Sequence, residues 1–335
     1  MYKRQFPTSA ESSGVAVDRR VLKGLMRRSD RPGLVSLGCF VVFLFVCGVG
    51  VHFAMGTPWQ WPMLVVYGGV LTTYTYALSH ECAHGTAFRT RWLNELLFMI
   101  SSFVYLEEHL HRRYTHASHH TYTYHRGLDA QIPTTFPLTF SGWIREISGY
   151  SLLRFHLESI LRAASGRFSQ SVINCVPETE LHKLTRNARI YIALYIAVGV
   201  AIGGGAEFLL WYFVIPILVG NPINMLFNIL QHLEMDENQM DLRKSTSSFA
   251  TNGFARFVYM NMNFHIEHHM FPTVPFHALP DLHNEVKNLL PTPDPGFFRT
   301  NWWGLKTVIG RSLGRVPMAV LGRDLPAETY EQTAT

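Results

Sequence analysis

The chain has 335 residues, of which 47% are hydrophobic, 13% aromatic and 16% charged, with a net charge of +5. Soluble domains carry about 25% charged residues, so the deficit weighs against a purely soluble protein, and the hydrophobic content excludes disorder. Four cysteines, at positions 39, 47, 82 and 175, show no paired spacing. That removes support for a disulfide framework, a zinc ribbon or a cysteine-held cluster.

Residues 1–33 form a basic, polar arm. Residues 34–55 follow as 22 positions without Asp, Glu, Lys or Arg, enough for a helix to cross a bilayer. The run is too long and too far from Met1 for an ordinary signal peptide. A turn with Trp59 and Trp61 comes next, and Trp suits the membrane interface. A second span is expected over about 62–79. The apolar stretch 93–106 is shorter and reads as a buried or re-entrant helix. Two further spans are expected over about 188–204 and 208–230, with kinks at Pro216 and Pro222. Residues 34–290 thus read as one membrane domain, and 291–335 as a cytosolic C-terminal tail.

Charge placement supports this reading. Lys and Arg number 8 in residues 1–33, 12 in 80–189 and 9 in 231–335, which together are all 29. The turns between paired spans hold none. By the positive-inside rule both termini face the cytosol. The expected fold is an all-α, multi-pass integral membrane protein: four transmembrane helices under a cytosolic helical cap that carries the histidine clusters. The basic face then needs no nucleic acid, because anionic lipid suffices. The basic segment 19–28 and the segment 302–321 can each lie on the membrane surface or pack as ordinary amphipathic helices.

The 17 histidines are the anomaly. His80 and His84 sit where the second span meets the cytosol, and Asn228 and His232 where the fourth does. His116, His119 and His120 form one HxxHH cluster; His265, His268 and His269 form another. Residues three and four apart share a helix face, so each cluster aims its imidazoles at one point. Nine such histidines exceed the four ligands of a structural zinc, which implies two or more metal ions. Imidazole suits Zn, Cu, Fe and Ni, so the metal stays open on this ground. The spacing from His84 to His116 and from His232 to His265 is nearly equal. Each half reads as a hairpin, a ligand pair and an HxxHH, giving two half-sites that meet at the cytosolic face beside an apolar cavity in the spans.

Other groups near the clusters have plainer readings. Glu267, inside the last box, is expected to orient a ligand imidazole, and His111 to support the second box from behind. Glu81, Glu107, Glu108 and Asp129 read as solvated carboxylates. His52 reads as structural, His277 and His283 as surface or packing groups, and Cys82 as packing.

The boxes at 80–86, 116–120 and 263–275 resemble those of the membrane fatty acid desaturase and hydroxylase superfamily. The likeness covers roughly residues 65–290. It implies an O2-dependent enzyme with two irons (Fe2+/Fe3+) that oxidises unactivated C–H bonds. It also implies the ligand set His80, His84, His116, His119, His120, His232, His265, His268 and His269, with Asn228 acting through a water. The expected reaction is desaturation of a fatty acyl lipid. The alternative is hydroxylation of a lipid or small molecule on the same scaffold. Electrons are expected from a separate ferredoxin, rubredoxin or cytochrome b5 type donor with its reductase, because no haem motif, paired cysteines or GxGxxG stands in the sequence. A histidine-rich metal transporter is the rival class, but it would place ionisable ligands near the middle of its spans.

Overall fold

A computed structural model of the chain describes residues 15–131, 134 and 136–320. The first 14 residues of the basic arm and the end of the tail, 321–335, lie outside the described residues. What is described is helical, and the one pairing outside helices is a parallel bridge between Phe249 and Asp294. In chain order the helices are α1 (Arg19–Leu25), α2 (Asp30–Ala54), α3 (Gln60–Ala83), α4 (Arg91–Val104) and α5 (His109–Tyr122). Next come α6 (Phe140–Ile147), α7 (Tyr150–Ala164), α8 (Gln170–Cys175) and α9 (Glu178–Gly203). α10 runs through Glu207–Gln231, and α11 (Leu242–Ser245), α12 (Gly253–Val258), α13 (His265–Met270), α14 (Leu279–Val286) and α15 (Phe297–Ser312) follow.

Two of these, α2 and α10, are 25 residues each and apolar enough to cross a membrane. On α2 the outward side chains are large and greasy: Phe45 is 71% and Phe53 79% exposed. Water would not tolerate such a contiguous face, whereas lipid chains would. The other two expected spans, α3 and α9, form as long helices. α3 buries most of its length between α2, α4 and α10.

The packing of α3 on α10 sets the frame for the site. Gly68 and Gly69 on α3 meet Pro216, Gly220 and Ile223 on α10. A Cβ built at Gly220 would lie 2.0 Å from the Gly68 carbonyl carbon. Only glycine lets the two backbones approach this closely, as in small-residue helix crossings within membranes. α10 departs from regularity where proline requires it. Pro216 has no N–H to donate to the Tyr212 carbonyl four residues earlier. A π-helical turn spans Leu210–Val214, and the Tyr67 hydroxyl donates to the freed Tyr212 oxygen at 3.2 Å.

The segment read as a C-terminal tail carries α15, which packs inward. Val308 joins the main apolar core. Arg311 is buried and pairs with the buried Glu234 carboxylate, so this helix does not lie loose on a membrane surface.

Candidate metal centre

The histidine clusters sit at the ends of helices whose other ends carry the apolar packing. His80 closes α3 and His84 caps it. His116, His119 and His120 lie on α5, and His265, His268 and His269 on α13. His232 follows the 3-10 turn that ends α10. All nine come together in two groups. One holds His80, His84, His116, His120 and His268; the other holds His119, His232, His265 and His269. Within each group one nitrogen from each imidazole lies within 4.8 Å of those of the others.

The division differs from the two half-sites expected from chain order. His119, from the first half, joins the second group, and His268, from the second half, joins the first. Helix geometry explains the exchange. In HxxHH the outer residues are four apart and share a face, while adjacent residues point about 100° apart. His116 and His120 therefore stay together and His119 turns away. His265 and His269 stay together and His268 turns away. The two clusters interlock, so neither group is complete without the other half of the chain.

The donor set fits metal binding. The Nε2 atoms of His80 and His268 are 2.6 Å apart, and those of His84 and His116 are 2.9 Å apart. Buried imidazoles this close cannot all carry a proton. Burial holds the ring of His268 down to about 3. Burial, then neighbouring imidazoles, hold His116 and His120 well below the usual histidine range, with Arg112 adding to the effect on His116. Neutral imidazoles with lone pairs directed at a common point are what a metal ion requires.

The far nitrogens are held by groups that orient the rings. His119 Nδ1 is 2.8 Å from Asp129 Oδ2, and His116 Nδ1 is 2.9 Å from Gln131 Oε1. His232 Nδ1 is 2.7 Å from the Ser245 carbonyl, and His269 Nδ1 is 3.1 Å from Thr123 Oγ1. Asp129 is itself pinned by the backbone N–H groups of Tyr124 and Gln131. It is therefore not a solvated carboxylate but the support of one ligand ring. Glu81, Glu107 and Glu108 are buried as well. An Asn in place of Asp129 keeps the shape but loses the charge-assisted bond. Such outer partners are worth about 10- to 100-fold in metal affinity, so Asp129→Asn is expected to need correspondingly more metal ion to reach full occupancy, read by metal titration.

Two expected supports act elsewhere. Glu267 does not reach a ligand ring. It accepts a 2.6 Å hydrogen bond from Ser248 Oγ and pairs with His283, which ties α13 to α14. His283, read from sequence as a surface or packing group, is thus the anchor of the last box. His111 faces Glu107 at 3.7 Å and stands outside both groups. Asn228 borders the site with its side-chain oxygen accepting from Tyr259 at 3.0 Å.

Against the two groups lies a cavity of about 110 Å³, bordered by His80, His116, His119, His232 and His265. Its wall is mostly apolar, with charged groups set into it. Tyr105, Tyr124, Phe136 and Phe155 contribute rings, and Glu107, Arg112, Glu146 and His156 contribute polar groups. Burial opposes ionisation of Glu107, yet Arg112, His156 and His111 outweigh it and hold the carboxyl well below its usual range.

Long apolar helices whose ends gather nine imidazoles into two groups define a membrane oxidoreductase of the clustered-histidine class. The chain belongs to the fatty acid desaturase family, whose pattern matches residues 56–301. A delta(9) fatty acid conjugase-like enzyme of Dimorphotheca sinuata is 24% identical over 289 residues, covering 73% of this chain and 74% of that protein. A sphingolipid delta(4)-desaturase/C4-monooxygenase of Rattus norvegicus is 24% identical over 269 residues, covering 77% and 75%. A delta(12)-acyl-lipid-desaturase of Punica granatum is 21% identical over 293 residues, covering 79% and 76%.

Proposed function

We propose that this enzyme is an O2-dependent, two-iron oxidoreductase of the membrane that introduces a double bond into a fatty acyl lipid. The observation that carries the reading is the pair of interlocked imidazole groups, five and four residues strong, with a cavity directly against them. His80, His84, His116, His120 and His268 would hold one iron; His119, His232, His265 and His269 would hold the other, with Asn228 acting on it through a water. Bound there, the irons would supply O2 activation and removal of hydrogen from an unactivated C–H bond, chemistry beyond side chains. The protein's part is placement. Asp129, Gln131, Thr123 and the Ser245 carbonyl keep the rings aimed, and the tyrosine-rich wall keeps bulk water from the reacting carbon.

Desaturation converts –CH2–CH2–, O2, two electrons and two protons into –CH=CH– and two waters. The electrons come from a separate ferredoxin, rubredoxin or cytochrome b5 type donor with its reductase, docking on the basic face. α2, α3, α9 and α10 are the four spans of this reading, with the metal centre and both termini on the cytosolic side.

Hydroxylation is the second reading, favoured by the relative whose name couples a desaturase with a C4-monooxygenase. It consumes the same electrons and protons but leaves one oxygen atom in the product and one in water. Turnover under 18O2 separates the two. An unlabelled alkene is the expected product, and 18O retained in the organic product overturns desaturation in favour of hydroxylation.

A further inference from the structure

We infer that the molecule oxidised at this centre carries a cationic amine close to the reacting carbon, and that Glu146 receives it; this rests on the oxidoreductase reading above but not on its fatty acyl substrate. The cavity is small. Its volume of about 110 Å³ falls below the roughly 300–1,000 Å³ of sites that enclose drug-sized ligands. Among its described lining residues only Leu152, Met225 and Ile229 are aliphatic.

Glu146 stands out among the polar groups. It projects from α6, is 3% exposed, and accepts hydrogen bonds from Thr134 Oγ1 and Ser151 Oγ, each at 2.6 Å. Both donors are neutral hydroxyls. Among the described residues no lysine, arginine or histidine pairs with it, whereas buried Glu107 has Arg112 and buried Glu234 has Arg311. Burying a carboxylate without a counter-charge is costly, and a ligand cation removes that cost. Tyr105, Tyr124, Phe136 and Phe155 border the same space, and aromatic faces attract ammonium groups. Glu146 and Phe155 also border an outer groove with Arg145, Tyr150, Arg154 and Glu158, so the Glu146 carboxylate stands between that groove and the cavity. Because Glu146 and the imidazoles share one small cavity, the amine and the oxidised carbon are separated by only a few bonds.

Two sources supply this chemistry: a soluble small amine, or a long-chain amino lipid whose amine end enters the cavity. Calorimetric titration of the iron-loaded protein in nanodiscs, with n-butylamine against n-butanol and sphinganine against hexadecanol, separates them. The amine of at least one pair is expected to bind tenfold or more tighter than its alcohol, the scale of a hydrogen bond to a charged group. Butylamine preference indicates a soluble substrate, and preference confined to sphinganine indicates an amino lipid. Glu146→Gln is expected to erase the preference without lowering iron content, and Glu146→Asp to keep it. If Glu146→Gln does not fold, the amine and alcohol pairs on the natural protein decide. Equal binding of amine and alcohol in both pairs, or a preference untouched by a folded Glu146→Gln, overturns the inference. Amine preference with no oxidised product under O2 and reductant would overturn the oxidoreductase reading while supporting the amine site.

Discussion

His119→Ala and His268→Ala are each expected to abolish turnover while leaving a protein that still inserts and retains about half its iron. The two residues stand in different groups, although each belongs by sequence to the opposite half of the chain. Removing one ring from a group of four or five leaves the other group with its full set. Mass spectrometric iron analysis of the purified variants should therefore find about one ion per chain in each. The double variant should approach none. Loss of an outer partner alone costs about 10- to 100-fold, so loss of a ring itself should reduce turnover by at least that much. Full iron and full turnover in both single variants would remove these residues from the metal set. Loss of both ions in each single variant would instead show that the groups bind cooperatively.

The second large effect is expected far from the metal. In Gly220→Ala the new methyl would stand 2.0 Å from the Gly68 carbonyl carbon and 2.3 Å from the Gly69 nitrogen. Both are backbone atoms in a helix, so no side-chain rotation relieves the overlap and α3 and α10 must separate. Overpacking a well-fitted contact costs about 1–3 kcal/mol, more where the obstacle is rigid, and the upper end is expected here. The same separation would move His80 and His84, at the end of α3, away from His232, just past the end of α10. Gly220→Ala should therefore lower both the melting temperature and the iron content. Gly199→Ala is the matched control, because its methyl would meet nothing within 4 Å on α9 and alanine favours a helix by roughly 1 kcal/mol over glycine. A Gly220→Ala protein that melts and binds iron like the natural one would show that the crossing does not set the ligand geometry.

Much of this protein was legible in sequence because the decisive signals are local. The run at 34–55 announced α2 by length and apolarity alone, and the structure begins that helix only a few residues earlier, at Asp30. The histidines were legible because i, i+3 and i+4 spacing on a helix brings side chains to one face whatever the rest of the chain does. Pro216 foretold an irregularity in α10, since a missing N–H has a local consequence; the structure shows it as a π turn capped by Tyr67.

What only the tertiary structure decided depends on the relative rotation and approach of separate helices. Spacing could say that His116, His119 and His120 act together but not that His119 turns to His232, because that requires knowing where α13 and the end of α10 lie around α5. Asp129, Glu81 and Glu107 read as solvated in a polar stretch, yet they are buried, since burial is a property of neighbours distant in the chain. His283 and Glu267 are 16 residues apart and meet only because α14 folds back on α13. The cavity wall follows the same logic. Glu146 from α6, Phe155 from α7 and the α5 and α10 residues share no sequence pattern. Their convergence on one small, aromatic and carboxylate-bearing space is set by how the helices of the 80–189 segment close over the ends of α3 and α10.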